Sequence, residues 1–339
     1  MDNQNKKILV TGATGLVGMH VLLHLLSKGY ATCALCRPSS DKSIVKRVFA
    51  YYGKESLFDA IEWREAEILD VEKLYSAMEG ISSVYHTAAM VSFNSSEHDQ
   101  LWRVNVDGTT NIINAAIKNG VEAFCHVSSI GALGHTSDGS FIDETTPFQP
   151  DADRSVYSQS KFRQEMEVWR AMEQGLKAVI VNPGVVLGPC SLSRSSGSIA
   201  SATKNGTKFF VEGQTGYVDA RDVAQSMVEL MEKELYGERY ILVSDNTTVR
   251  DVQNMFADEF SVARPRYKAT KAMMNIAATL LSVKSKFTGV KPALTYESVR
   301  SMGGNNSYTS QKVKKAINIE FISVKDSIAN MAAFHKSKL

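Results

Sequence analysis

The stretch TGATGLVG, Thr11 to Gly18, follows a largely apolar run from Lys7 to Val10 and precedes MHVLLHLLSK, Met19 to Lys28, whose apolar residues recur at helical spacing. That order predicts a strand, a tight turn and a helix start. In such a turn Gly12 takes backbone angles that a side chain forbids, Gly15 lets a bulky anion approach the main chain, and Gly18 lets the helix pack against the strand. The anion expected there is a dinucleotide pyrophosphate, held by the free amides and partial positive charge of the helix N-terminus.

Working outward, Ala31 to Cys36 reads as a second strand, which ends about twenty residues beyond the glycines, where the adenosine ribose is met. An acidic residue there would bind the two ribose hydroxyls of NAD. This chain instead has Arg37, followed by Pro38, Ser39 and Ser40, a cation and hydroxyls suited to the 2′-phosphate of NADP. Further strands are expected at Ile61 to Leu69, Ser82 to Thr87 and Val121 to Ser128, with Asp70 capping a helix that runs to about Met78. Ala88 and Ala89, small residues at a strand's C-terminal end, let a flat cofactor lie against the backbone. A long helix fits Asp99 to Lys118 and carries Asn105 in its first half. Strands alternating with helices predict an α/β fold with a parallel, doubly wound sheet.

Tyr157 and Lys161, in YSQSK, open a helical pattern reaching Met172, and a spacing of four puts both side chains on one face. An ammonium beside a phenol favours the phenolate, which lowers the tyrosine's pKa from about 10 toward the working pH. A tyrosine so tuned exchanges a proton as hydride moves to or from a carbonyl carbon. Ser129, at the end of a strand, is placed to hydrogen-bond the same substrate oxygen.

With these residues the chain resembles the extended short-chain dehydrogenase/reductases, also described as the NAD-dependent epimerase/dehydratase family. Among them it is similar to the dihydroflavonol reductase and 3β-hydroxysteroid dehydrogenase types. The motifs that carry the resemblance are TGATGLVG, EILD (Glu67 to Asp70), HTAA, VNVDGT, VSSIGALG, YSQSK, NPGVVLGP and YVDARDVA. The resemblance implies a Rossmann domain and a catalytic triad of Ser129, Tyr157 and Lys161, with Lys161 also holding the nicotinamide ribose. It further implies cofactor contacts at Gly12, Thr14, Gly15, Leu16, Val17, Gly18, Arg37, Glu67, Ile68, Ala88, Ala89, Asn105, Pro183 and Val185. Glu67 stands where the family often has an aspartate for the adenine amino group. The Asp-Glu pair of the dehydratases is absent, since Ile130 and Gly131 follow Ser129. NPGVV, in place of the arginine and asparagine of nucleotide-sugar enzymes, suits a less polar substrate.

The expected activity is NADP-dependent reduction of a ketone or aldehyde, or the reverse oxidation, with NAD as the alternative cofactor. A nucleotide-sugar epimerase retaining NAD is the competing reading, and a non-catalytic cofactor-binding protein a third. The expected division is 1–182 plus 217–244 for the Rossmann domain, and 183–216 plus 245–339 for a smaller, mostly helical substrate lobe. Between Arg264 and Lys291 every charged residue is basic, and Met273, Ile276, Ala277 and Leu280 recur there at helical spacing. The ordinary reading packs that apolar face on its own lobe; the alternative is contact with an anionic membrane surface or an acidic substrate.

The 38 Lys+Arg against 36 Asp+Glu of the 339 residues leave a net charge of +2, and no nucleic-acid motif accompanies it. Cys33, Cys36, Cys125 and Cys190 are too scattered for a disulfide framework, and Cys33 and Cys36 face opposite sides of a strand, so reduced thiols are expected. The histidines show no metal-ligand spacing. The start of the chain has no apolar signal region and nowhere do 18 apolar residues run together, so a cytoplasmic protein without an integral membrane segment is expected. The helices around 99–118 and 154–172 resemble those through which the family often forms homodimers.

Overall fold

The computed structural model describes residues 6–136, 138–150, 154–192, 196–289, 292, 294–301 and 304–337. The first half runs β1 (Lys7–Thr11), α1 (Leu16–Ser27), β2 (Thr32–Cys36), α2 (Ser43–Tyr51), β3 (Glu62–Glu65), α3 (Val71–Ala77), β4 (Ile81–His86), α4 (His98–Trp102), α5 (Gly108–Lys118) and β5 (Ala123–Val127). It continues through α6 (Val156–Glu173), β6 (Lys177–Pro183), β7 (Val185–Leu187), α7 (Gly197–Lys204), β8 (Phe209–Phe210), β9 (Gln214–Asp219), α8 (Ala220–Glu232) and β10 (Glu238–Leu242). The remainder is β11 (Asp245–Thr248), α9 (Val249–Phe260), β12 (Tyr267–Lys268), α10 (Lys271–Thr288), α11 (Tyr296–Ser301), α12 (Gln311–Ile317) and α13 (Val324–Lys336).

Seven parallel strands form the central sheet in the order β10-β6-β5-β4-β1-β2-β3. Buried residues form a core on each face. One holds Val10, Leu22, Leu25, Val223 and Met227 beneath α1 and α8; the other holds Leu9, Val84, Ile112, Phe124 and Val168 beneath α5 and α6. Strands buried on both faces read as continuous apolar runs, which is why β1, β2 and β5 were visible in sequence. The chain leaves β1 toward β2 and β3, then returns to β4 on β1's other side. The crevice at the C-terminal ends of β1 and β4 is therefore the topological switch point, where ligands of such sheets bind.

Three local departures from expectation bear on the site. The third strand is Glu62–Glu65, not Ile61 to Leu69: the chain turns after it, with Asp70 N donating to Glu67 O, and Asp70 caps α3 by accepting from Lys73 N. The helix expected over Asp99 to Lys118 is continuous in direction, but a wider π-type turn at Arg103–Asp107 separates α4 from α5 and swings Asn105 inward. The first helix begins at Leu16, immediately after the glycine turn.

A smaller sheet, β11-β9-β7, and the pair β12-β8 lie outside the central sheet. Part of the stretch 245–339 shares a core with the central sheet. Val313, Ile317 and Ile319, at and just beyond α12, and Phe334 of α13 are buried in the same core as β1 and α1. Tyr51 of α2 also hydrogen-bonds Asn330 of α13. These residues return to the Rossmann side because their apolar faces complete its core.

The expectation for α10 also needs correction. Only Met274 and Ala278 of that helix are buried, while Met273, Ile276 and Leu280 are exposed and Ala277 is half-buried. The face that packs is the one a few residues out of phase with the expected stripe. Lys291 lies outside the described residues. No helix among the described residues is long and apolar enough to cross a membrane. All four cysteines are free and buried, and burial pushes the Cys33 thiol up to about 11.

Candidate active site

The glycine turn forms one wall of the crevice. Gly12 has φ +65, and a Cβ there would stand 2.7 Å from both Cα and N of Ala88, so the β1 and β4 loops meet as closely as backbone allows. A Cβ on Gly18 would lie 2.3 Å from Gly12 O, the close helix–turn approach that the motif requires. Gly15 is exposed at the N-cap of α1, whose first turn has neither an acidic side chain nor a side-chain cap. The first-turn amides therefore have no acceptor within the helix, and an anion fits there. Thr14, Leu16 and Val17 flank the turn, each half-buried.

The opposite wall is fixed by side-chain hydrogen bonds. Thr87 Oγ1 donates to Thr11 O at 2.6 Å, and Ala88 N donates to Thr11 Oγ1 at 3.3 Å. His86 is fully buried between Thr11 Oγ1 at 2.7 Å and Thr109 Oγ1 at 2.9 Å. Burial holds its pKa down at about 3, with the Lys161 charge adding to the effect, so the imidazole stays neutral as a tether. Ala88 is half-buried and Ala89 exposed, leaving a small-residue floor. On the adenosine side Arg37 is exposed just after β2, its N–H donating to Ser40 Oγ at 3.1 Å. Glu67 is exposed. Ile68 presses on α5 at Gly108, where a Cβ would be 2.6 Å from Ile68 Cδ1. A glycine cradle, an uncapped helix start, a small-residue floor and an exposed cation together fit a nicotinamide dinucleotide.

Two expected cofactor residues occupy inner positions. Asn105 is fully buried: its Nδ2 donates to Met90 O at 3.0 Å and Ser160 Oγ at 2.9 Å, and its Oδ1 accepts from Met90 N at 2.7 Å. Its amide thus holds the loop after Ala89 against α6. Pro183 is buried at the end of β6, while Val185 of β7 is half-buried.

The residues expected to be catalytic lie just beyond β5 and in the first turns of α6. Ser155 caps α6 by accepting from Ser158 N, which orients the first turn that carries Tyr157. Ser129 Oγ accepts from Gly131 N at 3.0 Å and lies near enough to the Tyr157 phenol to favour its ionised form. Burial pushes Tyr157 up to about 12, with Ser129 opposing. Lys161 Nζ donates to Val127 O at 3.0 Å, and burial brings its pKa down to about 7 against the pull of Glu165. The expected lowering of the Tyr157 pKa by Lys161 is therefore not what this geometry provides. The ammonium is turned to the end of β5, and Ser129 is the group that holds the phenol down.

Sequence reading missed Glu165, one turn beyond Lys161. Its carboxylate is fully buried and accepts from Ser128 Oγ at 2.5 Å, Asn182 Nδ2 at 2.5 Å and Arg239 Nη1 at 3.2 Å. Asn182 Nδ2 also reaches Ser129 O at 3.0 Å, so this cluster fixes the Ser129 strand end from below. The available signal was the i, i+4 spacing of Lys161 and Glu165. Phe93 was missed as well: its ring meets Tyr157 edge-on, with centroids 6.1 Å apart, and forms an aromatic wall beside the phenol.

The profile of the NAD dependent epimerase/dehydratase family matches residues 8–242. Sterol demethylase protein B of Methylococcus capsulatus is 27% identical over 336 residues, covering 97% of this chain and 98% of that protein. Cinnamoyl-CoA reductase 1 of Petunia hybrida is 29% identical, covering 92% and 97%. Among solved structures, that of gox2253 superimposes with a TM-score of 0.80 at 29% identity over 98% of both chains. UDP-glucose 4-epimerase of Thermotoga maritima reaches 0.77 at 21% identity over 97% of this chain and 98% of that one, which shows the shared fold. The glycine cradle at the switch point and the Ser129, Tyr157 and Lys161 cluster lie within the matched span, and the chain belongs to the NAD-dependent epimerase/dehydratase family, enzymes of the extended short-chain dehydrogenase/reductase superfamily.

Proposed function

We propose that this enzyme is an NADP-dependent carbonyl reductase, acting on a ketone or aldehyde and able to run in reverse on the alcohol. The observation that carries the reading is the Tyr157 phenol in the first turn of α6, one helical turn from Lys161 and edge-on to Phe93. A reduction needs a proton for the oxygen that gains negative charge, and a tyrosine with its pKa near 12 carries that proton throughout the neutral range. With its pyrophosphate at the glycine cradle, a reduced nicotinamide dinucleotide would supply the hydride. Tyr157 gives its proton to the carbonyl oxygen, and Ser129 donates a hydrogen bond that orients that oxygen. In this reading Lys161 would leave the Val127 carbonyl to hold the nicotinamide ribose, and the Glu165 charge favours its ammonium form.

Arg37, exposed where an acidic residue would select NAD, supports NADP as the cofactor. The Phe93 ring borders Tyr157 with apolar surface, which favours an apolar or aromatic carbonyl. Relatives named cinnamoyl-CoA reductase and dihydroflavonol 4-reductase make aromatic carbonyls the first class to screen. The substrate lobe in this reading comprises the β11-β9-β7 sheet together with α10 and α11.

The test is titration of cofactor-stripped protein with NADPH and NADH, followed by a panel of aldehydes and ketones with NADPH oxidation as readout. Tighter, freely exchanging NADPH and turnover of an aromatic carbonyl are expected. Tightly retained NAD with little affinity for NADPH would overturn the reductase reading in favour of epimerisation.

A further inference from the structure

Helix α10 carries an apolar stripe that the fold leaves uncovered. Met273, Ile276, Leu280, Val283 and Phe287 are 44%, 63%, 66%, 49% and 87% exposed. They recur at i, i+3, i+7, i+10 and i+14, so they form a single stripe along all five turns. The helix packs through a different face, with Met274 and Ala278 buried and Ala277, Leu281 and Ser285 half-buried. Scattered exposed apolar residues need no explanation, but here five of the twelve large exposed apolar side chains among the described residues lie on one helix.

Charge identifies what covers the stripe. All the charged residues of α10 are cations: Lys271, Lys284 and Lys286. By helical periodicity Lys284 and Lys286 lie on either side of the Val283–Phe287 end of the stripe. Nearby Arg264 and Lys268 are paired with Asp258 and Glu212, so the lysines of α10 supply the excess positive charge. An apolar face edged by lysines, without a carboxylate, complements the interface of an anionic bilayer. A protein partner matched to this pattern would need a long apolar groove with an acidic rim.

The helix also connects to the site. Thr279 Oγ1 and the Tyr296 hydroxyl hydrogen-bond at 2.5 Å, linking α10 to α11. On α11 the Glu297 carboxylate accepts from Val156 N and pairs with His98 Nε2, each at 2.6 Å. Just before α11, Thr295 Oγ1 donates to the carbonyl of Phe93, the residue whose ring meets Tyr157.

We propose that α10 is an interfacial docking helix that seats the enzyme on an anionic membrane surface, with its apolar stripe in the lipid and Lys284 and Lys286 at the headgroups. This inference does not depend on the direction or substrate of the reaction.

The test is cosedimentation of the full chain with vesicles of phosphatidylcholine, alone or mixed with phosphatidylserine, across a salt series. The expected result is binding to the mixed vesicles that weakens as salt rises. Lys284→Ala with Lys286→Ala should weaken it about 25-fold at low salt, since each interfacial cation contributes about fivefold. Leu280→Glu with Phe287→Glu should abolish it. Both pairs are on the surface, and unchanged NADPH affinity certifies that they fold. Failure to bind mixed vesicles, or equal salt-insensitive binding to pure phosphatidylcholine, overturns the proposal. So does a vesicle-free dimer that Leu280→Glu dissociates, because a second copy then covers the stripe.

Discussion

Replacing Gly12 by alanine tests the cradle where the structure is most explicit. The new methyl must adopt φ +65, which costs a residue with a side chain about 1–2 kcal/mol. It also meets Ala88 Cα and N at 2.7 Å and Thr87 C at 2.8 Å, all backbone atoms of a loop tied down by the Thr87–Thr11 and Ala88–Thr11 hydrogen bonds. Forcing that loop away adds about 1–3 kcal/mol of overpacking. The total is about 2–5 kcal/mol, and with an unfolding entropy of about 2.1 cal/mol/K per residue, a 339-residue chain should lose about 3–7 °C in Tm. Gly29→Ala is the control: it also has positive φ, +83, but nothing lies within 4 Å of its added methyl, so it should cost only the backbone part. Because Ala88 lines the crevice, Gly12→Ala should also weaken NADPH binding about tenfold or more, whereas Gly29→Ala should not. Thermal denaturation and fluorescence titration of both variants give the comparison. A Gly12→Ala protein that melts with Gly29→Ala and binds NADPH like the unsubstituted enzyme would refute the close approach of the two loops.

Two further perturbations probe the buried polar groups. Glu165→Gln removes the charge that raises the Lys161 pKa, so that pKa should fall below about 7 and the alkaline limb of activity should move to lower pH. The substitution should also cost about 3 kcal/mol or more through the Arg239 pair. An unmoved pH profile would mean that Glu165 already carries a proton. Acid stability should reflect His86, whose pKa is about 3 when folded against an ordinary 6.5. Below pH 6.5 the unfolded chain takes up a proton that the folded one refuses, so stability falls with pH, by about 3 kcal/mol between pH 7 and pH 4 from this residue alone. Denaturant titrations of His86→Gln across that range should show a shallower slope.

The fold was legible in sequence wherever burial is two-sided or glycine geometry is obligatory. β1, β2 and β5 announce themselves as apolar runs, and Gly12 and Gly18 by the space they must leave. Ser129, Tyr157 and Lys161 were legible because strand end and helix spacing bring them together. What the sequence concealed depends on tertiary contact. The role of Asn105 follows from a π-type turn that aims it at Met90, and no local pattern announces that turn. Lys161 was expected to act on Tyr157, yet its ammonium finds the Val127 carbonyl because burial rewards the nearest acceptor. The exposed face of α10 could not be told from a packed one by periodicity, since both faces of that helix carry apolar residues. Phe334 is assigned to the Rossmann core only once α13 is seen returning to α2.

The most direct measurement is Tyr157→Phe under saturating NADPH with an aromatic carbonyl that the unsubstituted enzyme reduces. Removing one hydroxyl leaves the ring against Phe93, so NADPH affinity and Tm should hold while kcat falls about 10²- to 10⁴-fold, the usual contribution of a positioned general acid. A variant that retains full turnover while binding NADPH normally would contradict the assignment of Tyr157 as the proton donor.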